Sequence, residues 1–341
     1  MPAPREVIPV LKFVFVCLFV LGLCSLLIVP LSAQTNIDDV HVTSRQTTPA
    51  VGSKSVQVVA GSGLHVIKTD VKLVLVPVSV TDPMERFVTG LSRDNFEVFE
   101  DKKPQTIKSF SSEDVPISVG IIVDTSGSMM DKVDRVRDAV NEFCDAANPE
   151  DEFFMISFND DPRLAVDFTT STDEIKKELV FLRPKGRTSL LDALRMGLTK
   201  MKHARYGKKA LLIISDGGDN HSRYGEREVK SLAKESDVMI YSIGTFDRYV
   251  PTLEEARGPS LLSDLADPTG GRAFTLENAN EMPSVARHIG LELRTQYVLA
   301  YRPQGLERDG KWRKIRVKLK LPRRFTFLQA HARTGYYASA Q

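Results

Sequence analysis

Apolar and polar positions change rhythm several times along the chain. Phe13 to Val29 is almost unbroken apolar sequence. Residues 34–69 then lose all period; Thr47-Thr48-Pro49-Ala50-Val51-Gly52-Ser53 is typical. Such a stretch offers too little patterned apolar surface to build a core, and it reads as a flexible linker.

From residue 70 the pattern is β. Leu73 to Val80 is rich in valine, and Thr81-Asp82-Pro83 is a turn signal. Asn95 to Asp101 alternates apolar and polar positions with period two, as a half-buried strand does. Asp101-Lys102-Lys103-Pro104 predicts a turn, and Gln105 to Phe110 a hairpin partner. Pro77 predicts that the first strand is an edge or bulged one, because proline cannot donate to a ladder. Residues 70–112 are therefore expected to form a small all-β unit.

Beyond Pro116 apolar runs alternate with amphipathic segments, the mark of a mostly parallel sheet covered by helices. Ile117–Val123, Glu152–Phe158, Lys209–Ser215, 237–243 and 272–275 predict strands, and Arg163–Phe168 an antiparallel edge. Val133, Val136, Val140, Phe143 and Ala147 recur at helical spacing within 131–147. Thr172-Asp173-Glu174 has a helix start's small cap and early acids, and Ser189 stands as the cap of the helix carrying Leu190, Leu194, Leu198 and Met201. Further helices are expected at 226–236, 260–266 and 280–294. After Arg294 the β pattern returns at Gln296–Tyr301, Lys314–Lys320 and Phe325–Ala330.

The fold expected is α/β. A doubly wound, mostly parallel, Rossmann-like six-stranded sheet occupies 114–294. A small all-β unit flanks it, made from 70–112 and 295–338, since neither segment alone could bury much core.

Composition narrows the function. The 341 residues are 42% hydrophobic and 26% charged, ordinary globular values, and the formal charge of +2 excludes a dedicated nucleic-acid binder. Three cysteines make no disulfide framework, and Cys17 and Cys24 lie in the leading apolar run, so Cys144 reads as a buried core thiol. Arg5 and Lys12 before the apolar run, with Pro30 and Ser32-Ala33 after it, give 1–33 the form of a signal peptide cleaved after Ala33 or an uncleaved anchor. Either places the body outside the cytoplasm: periplasmic, secreted or membrane-anchored. Contact with a membrane is expected only through that leader.

Candidate chemistry gathers at strand ends, where open α/β sheets bind ligands. Ile121-Ile122-Val123 runs into Asp124-Thr125-Ser126-Gly127-Ser128. Small oxygen side chains converging there suit a hard divalent cation. Gly186-Arg187-Thr188-Ser189 adds hydroxyls ahead of a helix, and Ser215-Asp216-Gly217 adds a carboxylate at the end of a buried strand. Taken singly, each piece is also what a turn or helix cap looks like. Enzymatic alternatives lack their residues. Ser126 stands where an aspartyl phosphatase would need a second acid, no Gly-x-Ser-x-Gly elbow occurs, and the six histidines show no His-Glu-x-x-His spacing. No catalysis is expected.

In their order, Asp124-x-Ser126-x-Ser128, Thr188 and Asp216-Gly217 resemble the metal-ion-dependent adhesion site of a von Willebrand factor type A domain. The resemblance implies that Ser126 and Ser128 ligate a cation (Mg²⁺, or alternatively Mn²⁺ or Ca²⁺). Thr188 would bind it directly or through water, and Asp124 and Asp216 would hold coordinated waters. It also implies a protein partner that supplies a carboxylate to the metal. The wider layout, with Val76 to Asp82 and Phe96 to Asp101 ahead of the site, resembles exported bacterial von Willebrand factor A-related proteins of the acidobacterial type. The function expected is a non-enzymatic, exported protein-binding module, with an envelope scaffold stabilised by its metal as the alternative. Asp219, Asn220, His221 and Arg223 stand on the same rim as candidates for partner selectivity.

Overall fold

The computed structural model describes residues 73–246, 253–304, 309–322 and 327–338. The expected leader and linker lie outside the described residues. Among those described, no helix is long and apolar enough to cross a membrane.

The strands β1 (Val74–Thr81), β2 (Phe96–Glu100), β3 (Lys103–Gln105) and β4 (Ile107–Ser111) precede the α/β region. That region holds β5 (Ser118–Asp124), α1 (Val133–Asp145), β6 (Glu152–Phe158), β7 (Pro162–Thr169), α2 (Thr172–Leu179) and α3 (Leu190–Lys200). It continues with β8 (Lys209–Ser215), α4 (Glu226–Glu235), β9 (Met239–Thr245), α5 (Leu253–Ala266), β10 (Ala273–Leu276) and α6 (Met282–Thr295). Last come β11 (Tyr297–Tyr301), β12 (Trp312–Leu319), β13 (Gln329–Ala332) and β14 (Gly335–Tyr337).

The central sheet has six strands in the order β10-β9-β8-β5-β6-β7, parallel except for β7, which runs antiparallel to β6. Every residue of β5, β6 and β9 is buried, which is why these strands are nearly unbroken apolar runs. Alternate side chains serve two cores. Val119, Ile121 and Val123 pack with α1, α2 and α6, whereas Ile122 packs on the opposite face with α3, α4 and α5. From β5 the chain moves outward to β6 and β7 and then returns to β8 on the other side. The carboxyl ends of β5 and β8 thus form the topological switch point where this architecture opens a crevice.

The β segments from the two ends combine as expected, but into two antiparallel sheets. One has the order β13-β1-β11-β4 and the other β14-β12-β2-β3. Val76, Val78, Val80, Leu299 and Tyr301 of the first meet Phe96, Val98 and Ile315 of the second in one core. The partner expected for β2 at 105–110 is divided: Asp101 and Lys102, both at positive φ, make a tight turn into β3, and β4 crosses to pair with β11. β1 is not an edge strand, since β11 and β13 flank it. Pro77 is tolerated because β13 pairs only from Val78 onward, so nothing on that side asks Pro77 for an N–H. Of the strand expected at Phe325–Ala330, Phe325 and Thr326 lie outside the described residues, and the described strand is Gln329–Ala332; β14 was not anticipated.

Helix α6 ties the sandwich to the central sheet. Its Glu292, fully buried, accepts hydrogen bonds from Ser79 Oγ on β1 (2.7 Å) and Tyr241 OH on β9 (2.9 Å), with Arg272 Nη1 at 3.7 Å. Burial raises the Glu292 carboxyl above its ordinary range, and these partners offset part of the rise.

Candidate metal centre

The site starts where β5 stops. Asp124 is buried, and both of its carboxylate oxygens are engaged: Oδ1 accepts from the Ser126 amide (2.8 Å) and Oδ2 from Ser215 Oγ (2.5 Å). The first contact is an Asx-type turn that swings the chain out of the strand. Thr125 turns the other way, donating through its hydroxyl to the Phe158 carbonyl at the end of β6 (2.9 Å). The Ser126 and Ser128 hydroxyls are left side by side, 3.1 Å apart, with Ser126 buried and Ser128 exposed. A 3-10 turn over Gly127–Lys132 then leads into α1, so the helix expected from residue 131 starts at Val133.

The second loop lies against the first. The Gly127 amide donates to the Gly186 carbonyl (3.0 Å) and the Lys185 amide to the Thr125 carbonyl (2.8 Å). Gly186 has φ +78°, and a Cβ there would meet Asp160 Oδ2 at 2.3 Å, so only glycine allows this approach. Thr188 is buried and clasped by the third loop: its amide donates to Asn220 Oδ1 (3.0 Å), and its carbonyl accepts from the Asn220 and His221 amides (3.1 Å each). Thr188 is thus joined to the cluster through its backbone. Ser189 starts α3 without capping it by its side chain; its hydroxyl is buried without a hydrogen-bond partner.

The third loop follows β8. Ser215 Oγ, besides donating to Asp124, accepts from the Gly217 amide (3.0 Å). Asp216 is buried, and its Oδ2 has no hydrogen-bond partner. Among the described residues its cationic neighbour is Lys132 Nζ, at 3.9 Å. Burial and the Asp216 carboxylate together push Asp124 well above the ordinary carboxylate range. Two buried acids close enough to repel one another, with one loosely placed ammonium near them among the described residues, form a centre short of positive charge.

Asp124, Ser126 and Ser128 are therefore brought together directly, Asp216 is near enough to Asp124 to raise its pKa, and Thr188 lies on the adjoining loop. Of the rim residues, Asp219 accepts from Ser222 Oγ (2.6 Å), Asn220 holds Thr188, and Arg223 pairs with Asp192 and Asp161 (3.2 Å each). These three brace the loop; His221, against Arg187 Nη1 at 3.3 Å, is exposed. Sequence reasoning missed Ser215 and Lys132. The signal for Ser215 was a hydroxyl closing an otherwise apolar strand; Lys132 had none.

Among the described residues no three His, Cys, Asp or Glu side chains gather as a metal-binding group. The donors here are instead neutral hydroxyls backed by two carboxylates, all oxygen, a set that fits a hard cation and gives no reason to favour a soft one.

A doubly wound sheet with a hydroxyl-rich crevice at its switch point defines the class of this domain. Residues 119–218 match the family model described as the von Willebrand factor type A domain. The chain is similar to an uncharacterized protein of Borreliella burgdorferi, 24% identical over 145 residues, which are 38% of this chain and 42% of that protein. It is also similar to bovine (Bos taurus) inter-alpha-trypsin inhibitor heavy chain H4, 29% identical over 117 residues, 31% of this chain and 13% of that one. The chain thus spans less than half the length of either relative. Among solved structures, a von Willebrand factor type A protein from Catenulispora acidiphila aligns at 11% identity over 80% of this chain and 75% of that one, TM-score 0.48. BatB from Bacteroides thetaiotaomicron aligns at 18% identity over 52% of this chain and 98% of that one, TM-score 0.42.

Proposed function

We propose that the domain is a non-catalytic binding module that engages a protein partner through a divalent cation, Mg²⁺ first among candidates. Ser126, Ser128 and Thr188 hold the cation, with Asp124 and Asp216 behind them. The observation that carries this reading is the buried Asp216 Oδ2, unpartnered among the described residues and near enough to raise the pKa of Asp124, together with the adjacent Ser126 and Ser128 hydroxyls. A bound divalent cation supplies the missing positive charge and, with neutral hydroxyls as ligands, a Lewis-acidic position open to a partner's carboxylate. Ser215 and the Ser126 amide fix the Asp124 carboxylate, which supports the turn that sets the Ser126 and Ser128 hydroxyls side by side. The exposed side of Ser128 marks where the partner approaches. The charged start and apolar run of the leader support export, with the domain working outside the cytoplasm.

Burial of both acids favours a second reading, in which the cation only stabilises an envelope scaffold. Titration calorimetry with Mg²⁺ or Mn²⁺ on the protein and its Asp124→Ala variant tests the site: binding by the parent and none by the variant is expected, and equal binding by both overturns the assignment. A pull-down from envelope extract with and without EDTA then separates the readings. Loss of partner on chelation supports the adhesive module, and retention of partner with a lowered melting temperature supports the scaffold.

A further inference from the structure

The 3-10 turn that carries Ser128 ends in Lys132, and the Lys132 ammonium has one acidic neighbour among the described residues, Asp216, at 3.9 Å. That distance is the outer limit of an ion pair, and it joins unequal environments: the Lys132 side chain is 24% exposed, the Asp216 side chain 2%. Among the described residues, Asp216 Oδ2 receives no hydrogen bond from Lys132 or from any other group. The ammonium is therefore near enough to lend charge to the pocket and too far to close it. A lysine's four-carbon stem lets such a head group withdraw to water with little rearrangement of its backbone.

We propose that Lys132 is a tethered competitor of the cation: its ammonium covers Asp216 in the metal-free protein and withdraws when a divalent ion takes the site. This rests on the reading of the site as a cation centre. The chemistry follows from charge balance. Asp124 and Asp216 present up to two negative charges at the base of the crevice, and Lys132 answers with one. A divalent ion answers with two, and it binds among the Ser126 and Ser128 hydroxyls, where an ammonium on the Lys132 stem would face it as a like charge. Keeping both cations at once is unfavourable, so each lowers the affinity of the site for the other. Lys132 in this way protects the buried acids from being uncompensated while the site is empty, and raises the cation concentration needed to fill it. Lys132 acts through Asp216 and is a positioning residue.

The test compares the full-length protein with its Lys132→Gln and Lys132→Arg variants, using Mn²⁺ and Mg²⁺ alone as probes. Glutamine keeps a similar stem and polarity without the charge; arginine keeps the charge. Calorimetry is expected to show tighter cation binding by Lys132→Gln on the order of tenfold, the low end of what a unit charge within a few ångström does to an ionic equilibrium. Lys132→Arg should bind within about twofold of the parent, since the charge is retained. Thermal melts of the metal-free proteins give the second readout: Lys132→Gln should melt lower than the parent, with the gap closing at saturating Mg²⁺. Unchanged or weaker cation binding by Lys132→Gln, while the parent binds and Asp124→Ala does not, overturns the role of Lys132 and leaves the cation centre standing. Absence of cation binding by the parent and by Lys132→Gln alike overturns both. Binding by Lys132→Gln alone, with none by the parent, supports the competitor in its strongest form.

Discussion

Replacing Ser215 by alanine removes one oxygen and breaks two buried contacts. Ser215 Oγ donates to Asp124 Oδ2 at 2.5 Å and accepts from the Gly217 amide at 3.0 Å, and all three residues are buried. A hydrogen bond to a charged acceptor contributes about 1.5–3 kcal/mol net, and a buried amide left unpaired costs about 1–3 kcal/mol. Uptake of a proton by Asp124, whose pKa burial has already raised, relieves part of the first loss. The expected destabilisation is therefore about 3 kcal/mol, or a fall of about 6–12 °C in melting temperature for a domain of this size. Urea denaturation of the parent, Ser215→Ala, Asp124→Ala and the double variant measures the coupling directly, and about 1.5–2 kcal/mol of non-additivity is expected from the lost charge-assisted bond. Cation affinity should fall by about 10–100-fold in the single serine variant, the usual cost of loosening a group that orients a metal site. A loss below about 1 kcal/mol, or strict additivity of the two substitutions, would show that Ser215 does not hold the Asp124 carboxylate and would refute the reasoning.

Other outcomes follow from the same contacts. Gly217→Ala should cost more than about 2 kcal/mol, because Gly217 has φ +74° and a Cβ there would meet Gly258 Cα at 2.8 Å. Gly90→Ala, at φ +82° with nothing within 4 Å, should cost only the strain, and equal urea midpoints for the two would discount the contact. Glu292 carries a raised folded pKa, so its contribution to stability is full below its unfolded value and is lost as pH rises through the folded one. Relative to Glu292→Gln, the parent should therefore lose stability as pH rises above the ordinary glutamate range; denaturation midpoints that stay parallel as pH is raised would contradict it. Cys144 is buried, and its thiol is pushed up to about 12, so alkylation mapped by mass spectrometry should label it only at the rate of unfolding. Rapid labelling of the native protein would place that thiol outside the core.

The central sheet was legible because its strands are buried on both faces. A strand such as β5 or β6 needs no alternation to be recognised; it is an apolar run bounded by turn residues, and the helices between repeat at their own spacing. The sandwich was harder because its pairing is non-local. β2 alternates cleanly, yet nothing in Thr106 says that the chain leaves one sheet there and enters another. Pro77 misled for a related reason: the rule that proline belongs on an edge is correct bond by bond. β1 pairs only with β11 over Val74–Pro77 and only with β13 over Ser79–Thr81, and has a partner on both sides at Val78. β13 and β14 are too short to show a period at all.

The site divides along the same line. Asp124, Ser126, Ser128, Thr188 and Asp216 each follow or precede a recognisable element, so their convergence could be expected from topology once β5 and β8 were taken as neighbours. The groups that set the electrostatics of the crevice follow no such rule. Ser215 looks like the last residue of a strand, and only the parallel register of β5 and β8 turns its hydroxyl into the partner of Asp124. Lys132 is one of 46 basic residues, and its place beside Asp216 depends on a 3-10 turn that delays the start of α1 until Val133. An α-helix beginning at residue 131 would rotate position 132 differently against the crevice, since successive residues turn about 100° in an α-helix and about 120° in a 3-10 turn. The ammonium nearest Asp216 among the described residues is thus supplied by a local departure from helical geometry. Sequence periodicity can suggest a set of ligands, but the charge balance around Asp216 is fixed by turns the pattern does not encode.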